Sequence, residues 1–299
     1  MTSLGYLIKR NIKLFFKDKG MFFASLITPV ILLILYATFL AKVYKDSFLN
    51  ALPETIVIAE SIIDGTVGAQ LMSSILAVSA VTVCFCSNMV MVNDKAINSI
   101  RDFTISPVKP YKLAIGYYIA TLISTLIIVY IALFACMIYL AIVGFYMTFA
   151  DVLLVMLDIF LVTMFGLALS SVINFFLSSQ GQISAVGTIV SSGYGFICGA
   201  YMPISNFSKG LQNVISFLPG TYGTSLIRNH CMRGVFEEMT NVGFPQEVIE
   251  GIKDSVDCNL YFFDNNVSIG MMYVVLIAAI VVLLSIYILL NVLKSRKVR

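Results

Sequence analysis

Residues 193–223 read GYGFICGAYMPISNFSKGLQNVISFLPGTYG, and they decide how the rest of the chain is interpreted. The stretch begins as the end of an apolar, glycine-rich segment and breaks at Pro203, because proline disfavours a helical backbone at the preceding residue and has no amide donor. Apolar residues then recur at helical spacing until Pro219; they are Phe207, Leu211, Val214, Ile215 and Leu218. About a dozen amphipathic residues cannot cross a bilayer, which needs about 20, but they can lie in its interface. We therefore predict a membrane span that stops early and a short helix at the membrane surface. A plain loop helix outside the membrane is the alternative.

The composition is that of an integral membrane protein. Of the 299 residues, 59% are hydrophobic and 12% are charged, whereas soluble domains average about 25% charged residues. A net charge of +3 is too small to indicate a nucleic-acid partner. The length leaves room for about six spans with short loops. We predict an all-α integral membrane protein whose residues 1–299 form a single transmembrane domain.

Apolar stretches predict six transmembrane helices, and a basic amphipathic helix precedes them. The amphipathic helix covers residues 3–19 and suits an anionic cytoplasmic leaflet as an N-terminal interfacial helix. A signal peptide is the alternative, but the uncharged stretch 21–41 exceeds the usual apolar core of about 7–15 residues. The predicted spans cover about 21–41, 67–93, 113–142, 151–177, 183–202 and 269–293. Residues 94–112 then form a cytoplasmic segment, and residues 204–268 form an external region that begins with the short helix.

The distribution of basic residues predicts the orientation. If the N-terminus is cytoplasmic, 13 of the 19 Lys and Arg residues lie on the cytoplasmic side, as the positive-inside rule requires. An even number of spans returns the C-terminus to the same side. We expect a multi-pass protein of the cell membrane with both termini in the cytoplasm.

The order of these features resembles the membrane subunits of type-2 ABC exporters. The end of the fifth span and the external helix match a G-x-x-x-P-I element, an L-P-x-T-Y-like element and a downstream arginine; the residues are Gly199, Pro203, Ile204, Leu218, Pro219, Thr221, Tyr222 and Arg228. The cytoplasmic segment matches a P-V-x-x-x-x-L element and the start of the next span, with Pro107, Val108, Leu113, Gly116 and Tyr117. The resemblance covers nearly the whole chain.

The resemblance implies that the cytoplasmic segment is a coupling helix that docks on a separate ATPase subunit. The candidate coupling residues are Lys95, Ile100, Arg101, Asp102, Phe103 and Pro107. Glu is common at the start of this helix in the family, whereas this chain has Asp94, Asn98 and Ser99, so individual contacts do not carry over. An ordinary positive-inside loop is the alternative.

The same resemblance implies a permease that moves a drug, lipid, peptide or polysaccharide outward with energy from ATP. The chain has no P-loop motif, so ATP and Mg²⁺ are expected on the partner and no cofactor on this chain. A second permease subunit, identical or related, is expected to face the second and fifth spans. The candidate substrate-pathway residues are therefore Asn88, Met89, Ser191 and Tyr194.

Asp158 is the one ionisable side chain predicted deep in a span. An intramembrane carboxylate is by default a functional hypothesis, as a proton relay or a ligand for a cationic substrate, so Asp158 joins the substrate-pathway candidates. The alternative is a carboxylate hydrogen-bonded to Ser, Thr or Tyr of a neighbouring helix. A secondary transporter or channel without an ATPase is the alternative function, but the sequence shows no intramembrane Lys, Arg or His to pair with Asp158.

Cys231 and Cys258 both fall in the predicted external region, in polar surroundings. A disulfide between them is a candidate, because such bonds persist outside the cytoplasm. His230 is the one histidine, and the sequence offers it no partners for a metal site or a catalytic dyad. We expect no catalytic residues and no metal site in this chain.

Overall fold

The computed structural model describes residues 3–42, 45–46, 59–99 and 109–297, which are mostly helical. In chain order the helices are α1 (Ser3–Lys17), α2 (Lys19–Leu35), α3 (Glu60–Ser87), α4 (Met89–Ala96), α5 (Pro110–Val143), α6 (Phe149–Phe176), α7 (Gln180–Ile197), α8 (Lys209–Ile215), α9 (Pro219–Asn241), α10 (Gln246–Ser255) and α11 (Ile269–Lys297). A π-helical turn (Tyr36–Leu40) extends α2, and a 3₁₀ turn (Ile204–Asn206) precedes α8. Strands β1 (Tyr261–Phe262) and β2 (Asn265–Asn266) form a short antiparallel hairpin before α11.

Four helices in the described part of the chain are long and apolar enough to cross a membrane. They cover Glu60–Ala96, Tyr111–Val143, Phe149–Phe176 and Ile269–Lys294. Helices α1 and α2 qualify as a fifth span only as a pair, bent by 74°. The bend lies at Asp18, whose carboxylate accepts a hydrogen bond from the Met21 amide and caps α2. The structure thus shows an all-α, multi-pass membrane protein, while six spans remain a prediction.

Helix α7 lies where the fifth span is predicted, but it ends at Ile197 rather than at residue 202. Its 18 residues include Gln180, Gln182 and several Ser and Gly residues, so its composition is too polar for it to be counted among the four spans. The chain turns sharply after α7 because Gly199 adopts a φ of +72°. A side chain at that position would collide with Asp257 and Ile204, so glycine is required for this turn.

Helix α3 forms the centre of the molecule. Of its most apolar stretch 94% is buried inside the protein, against 28% for α5 and 17% for α11. Helices α2, α5, α6, α7 and α9 all pack around it. The mostly exposed apolar surfaces of α5 and α11 are those expected to face lipid.

The region 204–268 is not a simple external loop, because α9 packs along α3, α6 and α11. Gly234 near its C-terminal end packs against the backbone of Tyr146, in the loop between α5 and α6. Gly223, eleven positions earlier, packs against Val162 in the middle of α6. Helix α9 therefore runs antiparallel to α6, with its N-terminus at the depth of the spans.

Candidate functional site

Three basic side chains of α9 reach carboxylates of other elements, and they form the candidate functional site. The three residues are Arg228, His230 and Arg233, and their carboxylate partners are Asp257, Asp158 and Asp151. Glycines on the inner side of α9 allow the close approach. A side chain at Gly223 would collide with Val162. The site thus depends on glycines of α9 that let this helix pack closely against α6.

Arg228 is the deepest of the three and is only 1% exposed. Its guanidinium donates to the Ser73 and Ser74 hydroxyls of α3 at 3.4 and 3.1 Å and to the Gly199 carbonyl at 3.0 Å. It also donates to the Val256 carbonyl at 2.6 Å and to Asp257 at 3.4 Å. One side chain therefore joins α9 to α3, to the turn after α7 and to the end of α10.

Asp257 completes this network. It accepts a hydrogen bond from the Ile204 amide at 2.8 Å, which fixes the start of the 3₁₀ turn. Burial raises the pKa of Asp257 to about 6, although the nearby Arg228 charge opposes the shift.

His230 contacts the fully buried Asp158 of α6. Its Nδ1 lies 2.6 Å from one carboxylate oxygen, and the Tyr273 hydroxyl of α11 donates to the other at 2.5 Å. Asp158 therefore has both a histidine and a tyrosine partner, and the expectation that it lacks an intramembrane basic partner is wrong. The sequence pattern predicts an external region over 204–268, which would keep His230 away from the spans.

Arg233 is the outermost of the three, and its Nε lies 2.6 Å from the buried carboxylate of Asp151. Asp151 and Thr148 also form a capping box at the start of α6. A cleft of about 390 Å³ opens here between α9 and α10; its lining includes Asn229, His230, Arg233, Glu237, Gln246 and Lys253. Lys253 donates a hydrogen bond to Glu250, which lowers the pKa of that carboxyl.

A second cluster lies at the cytoplasmic end of the predicted topology and centres on Asp94. The Arg10 guanidinium of α1 donates to both Asp94 oxygens, at 2.6 and 2.9 Å. The Tyr117 hydroxyl of α5 donates to Asp94 at 2.5 Å. The hydrogen bond with Asp94 raises the pKa of Arg10. This Asp94 cluster ties the interfacial helix to the start of the predicted coupling segment.

Only one of the candidate coupling residues lies in the described part of the chain. Lys95 donates to the carbonyls of Asn174, Phe175 and Leu177, so its ammonium stabilises the C-terminal end of α6. The remaining candidates lie outside the described residues; they are Ile100, Arg101, Asp102, Phe103 and Pro107.

The candidate pathway residues are spread along the contact of α3, α4 and α7. Asn88 is buried and donates to the Ser170 and Ser171 hydroxyls of α6. The end of the Met89 side chain lies beside Gly187 of α7. Ser191 and Tyr194 are half-buried on α7, and Tyr194 faces Gly220 of α9. Asn88 thus points to α6, whereas Met89 and Tyr194 lie where α7 meets its neighbours.

The structure places Cys231 and Cys258 in the protein interior. Both are free, buried thiols, and the Cys258 thiol lies 3.9 Å from the Met232 sulfur. The candidate disulfide is not formed in this structure. Among the residues that the structure describes, no group of three His, Cys, Asp or Glu side chains could hold a metal ion.

The sequence patterns do not predict that Arg228 and His230 are partners of buried groups. The spacing of charged residues along α6 and α9 nevertheless indicates part of this arrangement. Asp151 and Asp158 are seven residues apart and share a helix face. His230 and Arg233 are three residues apart and share a face of α9. Two acidic positions on one face of α6 and two basic positions on one face of α9 could have suggested that α9 packs against α6.

These features define a class of protein: a polytopic helical membrane protein in which a helix after the shortened α7 packs back among the spans. A sequence profile of ABC-2 type transporters matches residues 2–230, from α1 into α9. The chain belongs to the ABC-2 type transporter family. It is therefore a membrane-embedded transport component, a permease that is not itself catalytic, and this family normally works with ABC ATPase subunits. No curated protein shows a significant match to this chain.

Proposed function

We propose that this chain is the permease subunit of a type-2 ABC exporter of the cell membrane. It crosses the membrane six times, with both termini in the cytoplasm, and a separate subunit hydrolyses ATP. The exported molecule belongs to the drug, lipid, peptide or polysaccharide class. The observation that carries the proposal, beside family membership, is the Asp94 cluster. It joins the interfacial helix to the start of the segment where an ATPase would dock.

The contacts of α3 support a route from the ATPase to the outer side. Closure of the ATPase subunits would push on residues 94–112 and on α1, which Arg10 and Asp94 hold together. Helices α4 and α3 continue from Asp94 to Ser73 and Ser74, which contact Arg228. Movement of α3 would therefore reach α9, which the network connects to the turn after α7.

The exposed face of α7 supports a second permease subunit. Ser184, Ala185, Thr188 and Ser192 are exposed on this helix, together with the larger Ile189 and Phe196. Small and hydroxyl side chains suit close helix packing in membranes better than contact with lipid. A second subunit covering this face would place Met89 and Tyr194 next to the path between subunits.

A charge-swapped pull-down tests the ATPase partner. Tagged protein is purified from native membranes in mild detergent, with and without the double change R101E/D102K. We expect an ABC ATPase to co-purify with the unmodified protein and to be lost from the variant. The matched control K253E/D254K swaps an adjacent Lys–Asp pair on α10 and should retain the ATPase. An ATPase that never co-purifies, in several mild detergents, would contradict the proposal.

The alternative is a secondary transporter without an ATPase, and one observation favours it. The contact of His230, Asp158 and Tyr273 is a buried ionisable cluster of the kind that transporters use to carry protons. Membership of the ABC-2 family argues against it. The absence of a co-purified ATPase, together with proton uptake that Asp158→Asn abolishes, would favour this alternative.

A further inference from the structure

Two lysine side chains of different helices meet at one aromatic ring near the end of α6. The Lys95 ammonium of α4 lies 5.4 Å from the ring centroid of Phe175, and the Lys294 ammonium of α11 lies 5.3 Å from the same centroid. Both distances fall within the range of cation–π contacts, about 6 Å. We call these three residues the Phe175 cluster. It brings two positive charges together where α4, α6 and α11 meet.

No carboxylate in the described part of the chain balances these two charges. Lys95 donates to three backbone carbonyls at the C-terminal end of α6, and the neighbouring Asp94 is bound by Arg10 and Tyr117. Lys294 is exposed, and neither lysine forms an ion pair with a described residue. The two like charges repel each other. An anion next to Lys294 would therefore stabilise the cluster.

The cluster lies at the level where three apolar helices end. The apolar stretch of α3 and α4 ends at Ala96, that of α6 at Phe176 and that of α11 at Lys294. The headgroup layer begins where the hydrocarbon core of the bilayer ends. In the proposed topology this end of the helices is cytoplasmic, because Asp94 at the start of the coupling segment lies there. The cluster is therefore at the depth of lipid headgroups.

The exposed residues next to the cluster are large and apolar. Phe176 is 67% exposed, and its ring centroid lies 5.3 Å from that of Phe175. Leu293, directly before Lys294, and Leu289, one helical turn earlier, are also exposed. An ATPase subunit docks in water beyond the ends of the spans, whereas these apolar side chains suit contact with acyl chains. One phospholipid molecule offers both an acyl chain and a headgroup.

We propose that the Phe175 cluster is a binding site for an anionic phospholipid of the cytoplasmic leaflet. Lys294 contacts the phosphate, and one acyl chain lies along Phe176 and Leu293. Basic pockets between membrane helices on the cytoplasmic side bind anionic headgroups in other proteins. A zwitterionic headgroup has no net charge and binds more weakly. The inference rests on the membrane topology of the proposed function and not on the ATPase partner.

Quenching of a single tryptophan by brominated lipid tests the site. The chain contains no tryptophan, so Phe176→Trp reports on the surface beside the cluster without background. Val274→Trp, exposed near the opposite end of α11, is the matched reporter away from the cluster. The full chain is reconstituted in phosphatidylcholine vesicles in which a minor fraction of the lipid is brominated phosphatidylglycerol or, in parallel, brominated phosphatidylcholine. Both leaflets have the same composition, so the result does not depend on orientation.

We expect brominated phosphatidylglycerol to quench F176W more strongly than brominated phosphatidylcholine does at the same fraction, and the two lipids to quench V274W equally. One lysine near an anionic headgroup changes the affinity about fivefold, so F176W/K294Q should lose most of the preference. F176W/K294R keeps the charge and should keep the preference. F176W/K209Q removes an exposed lysine that pairs with Asp264 elsewhere, and it should also keep the preference.

Equal quenching of F176W by the two lipids, or a preference that K294Q leaves unchanged, would overturn the proposal. Absence of quenching by either lipid would show that protein covers this position and would overturn it equally. Loss of the preference when inorganic phosphate is added would assign the cluster to a soluble anion, again against a lipid site. The purified chain contains no ATPase, so a failed ATPase pull-down would leave these outcomes unchanged.

Discussion

At the scale of single residues, each buried charge among the described residues has a partner. Asp158 is fully buried, and α9 supplies His230 while α11 supplies Tyr273. Arg228 is surrounded by carbonyls, hydroxyls and one carboxylate. Removing one member of such a set leaves a buried polar or charged group unpaired. The resulting loss of folding free energy exceeds the net stabilisation that the contact provides.

Replacing His230 by Ala should destabilise the protein by about 3 kcal/mol, because Asp158 is left with Tyr273 alone. Asp158→Leu should cost a similar amount. The double variant should lose less than the sum of the two, since neither unpaired group remains. Thermal unfolding in detergent measures all three, with Asp254→Asn on the exposed side of α10 as control. Additive losses would show that the two side chains do not interact.

Replacing Arg228 by Lys should destabilise the protein nearly as much as replacing it by Ala. A single ammonium cannot reach partners on α3, on the turn after α7 and on the end of α10 together, whereas the planar guanidinium does. Arg233→Lys is the matched control, because Arg233 is partly exposed and should tolerate the change. The same unfolding measurement decides the outcome, and an R228K protein as stable as the unmodified one would contradict the network described here.

At the scale of helices, local patterns predict apolar spans well and packing partners poorly. The sequence pattern predicts the basic amphipathic helix and the long apolar helices because each depends on neighbouring residues, whereas α7 ends at Ile197, before the break predicted near Pro203. The pattern does not place α9, whose mixture of Arg, Glu and Gly residues is typical of an external helix. Its burial depends on Asp158 and Ser73, which lie far away in sequence.

The attachment of α1 gives a prediction at this scale. In the variant Asp94→Ala, α1 loses both hydrogen bonds of Arg10 to Asp94, so backbone amides of residues 3–17 should exchange with solvent deuterium faster. Tyr117→Phe removes only one donor and should have a smaller effect. Amides of α10, which packs on α9 and not on the helices of the Asp94 cluster, serve as the internal reference. Unchanged exchange in α1 of the D94A protein would show that the Asp94 cluster does not hold the helix.

At the scale of the whole molecule, α3 connects the two clusters. Its extension α4 carries Asp94, and its middle carries the hydroxyls that bind Arg228. The order of the predicted helices along the chain is sufficient to predict the family, because that order can be read from the sequence without knowing how the helices pack. The connection through α3 is not predictable in that way, since it depends on which buried side chains meet. An exporter subunit needs such a connection between an ATPase and the outer side.

Native mass spectrometry of the complex released from native membranes tests the central claim most directly. We predict an assembly that contains this chain, a second permease subunit and ABC ATPase subunits, and that binds ATP through the ATPase subunits. Addition of ATP with Mg²⁺ should leave the permease subunits unmodified. A protein that is released repeatedly without any nucleotide-binding subunit, under conditions that preserve a known ABC transporter from the same membranes, would contradict the account.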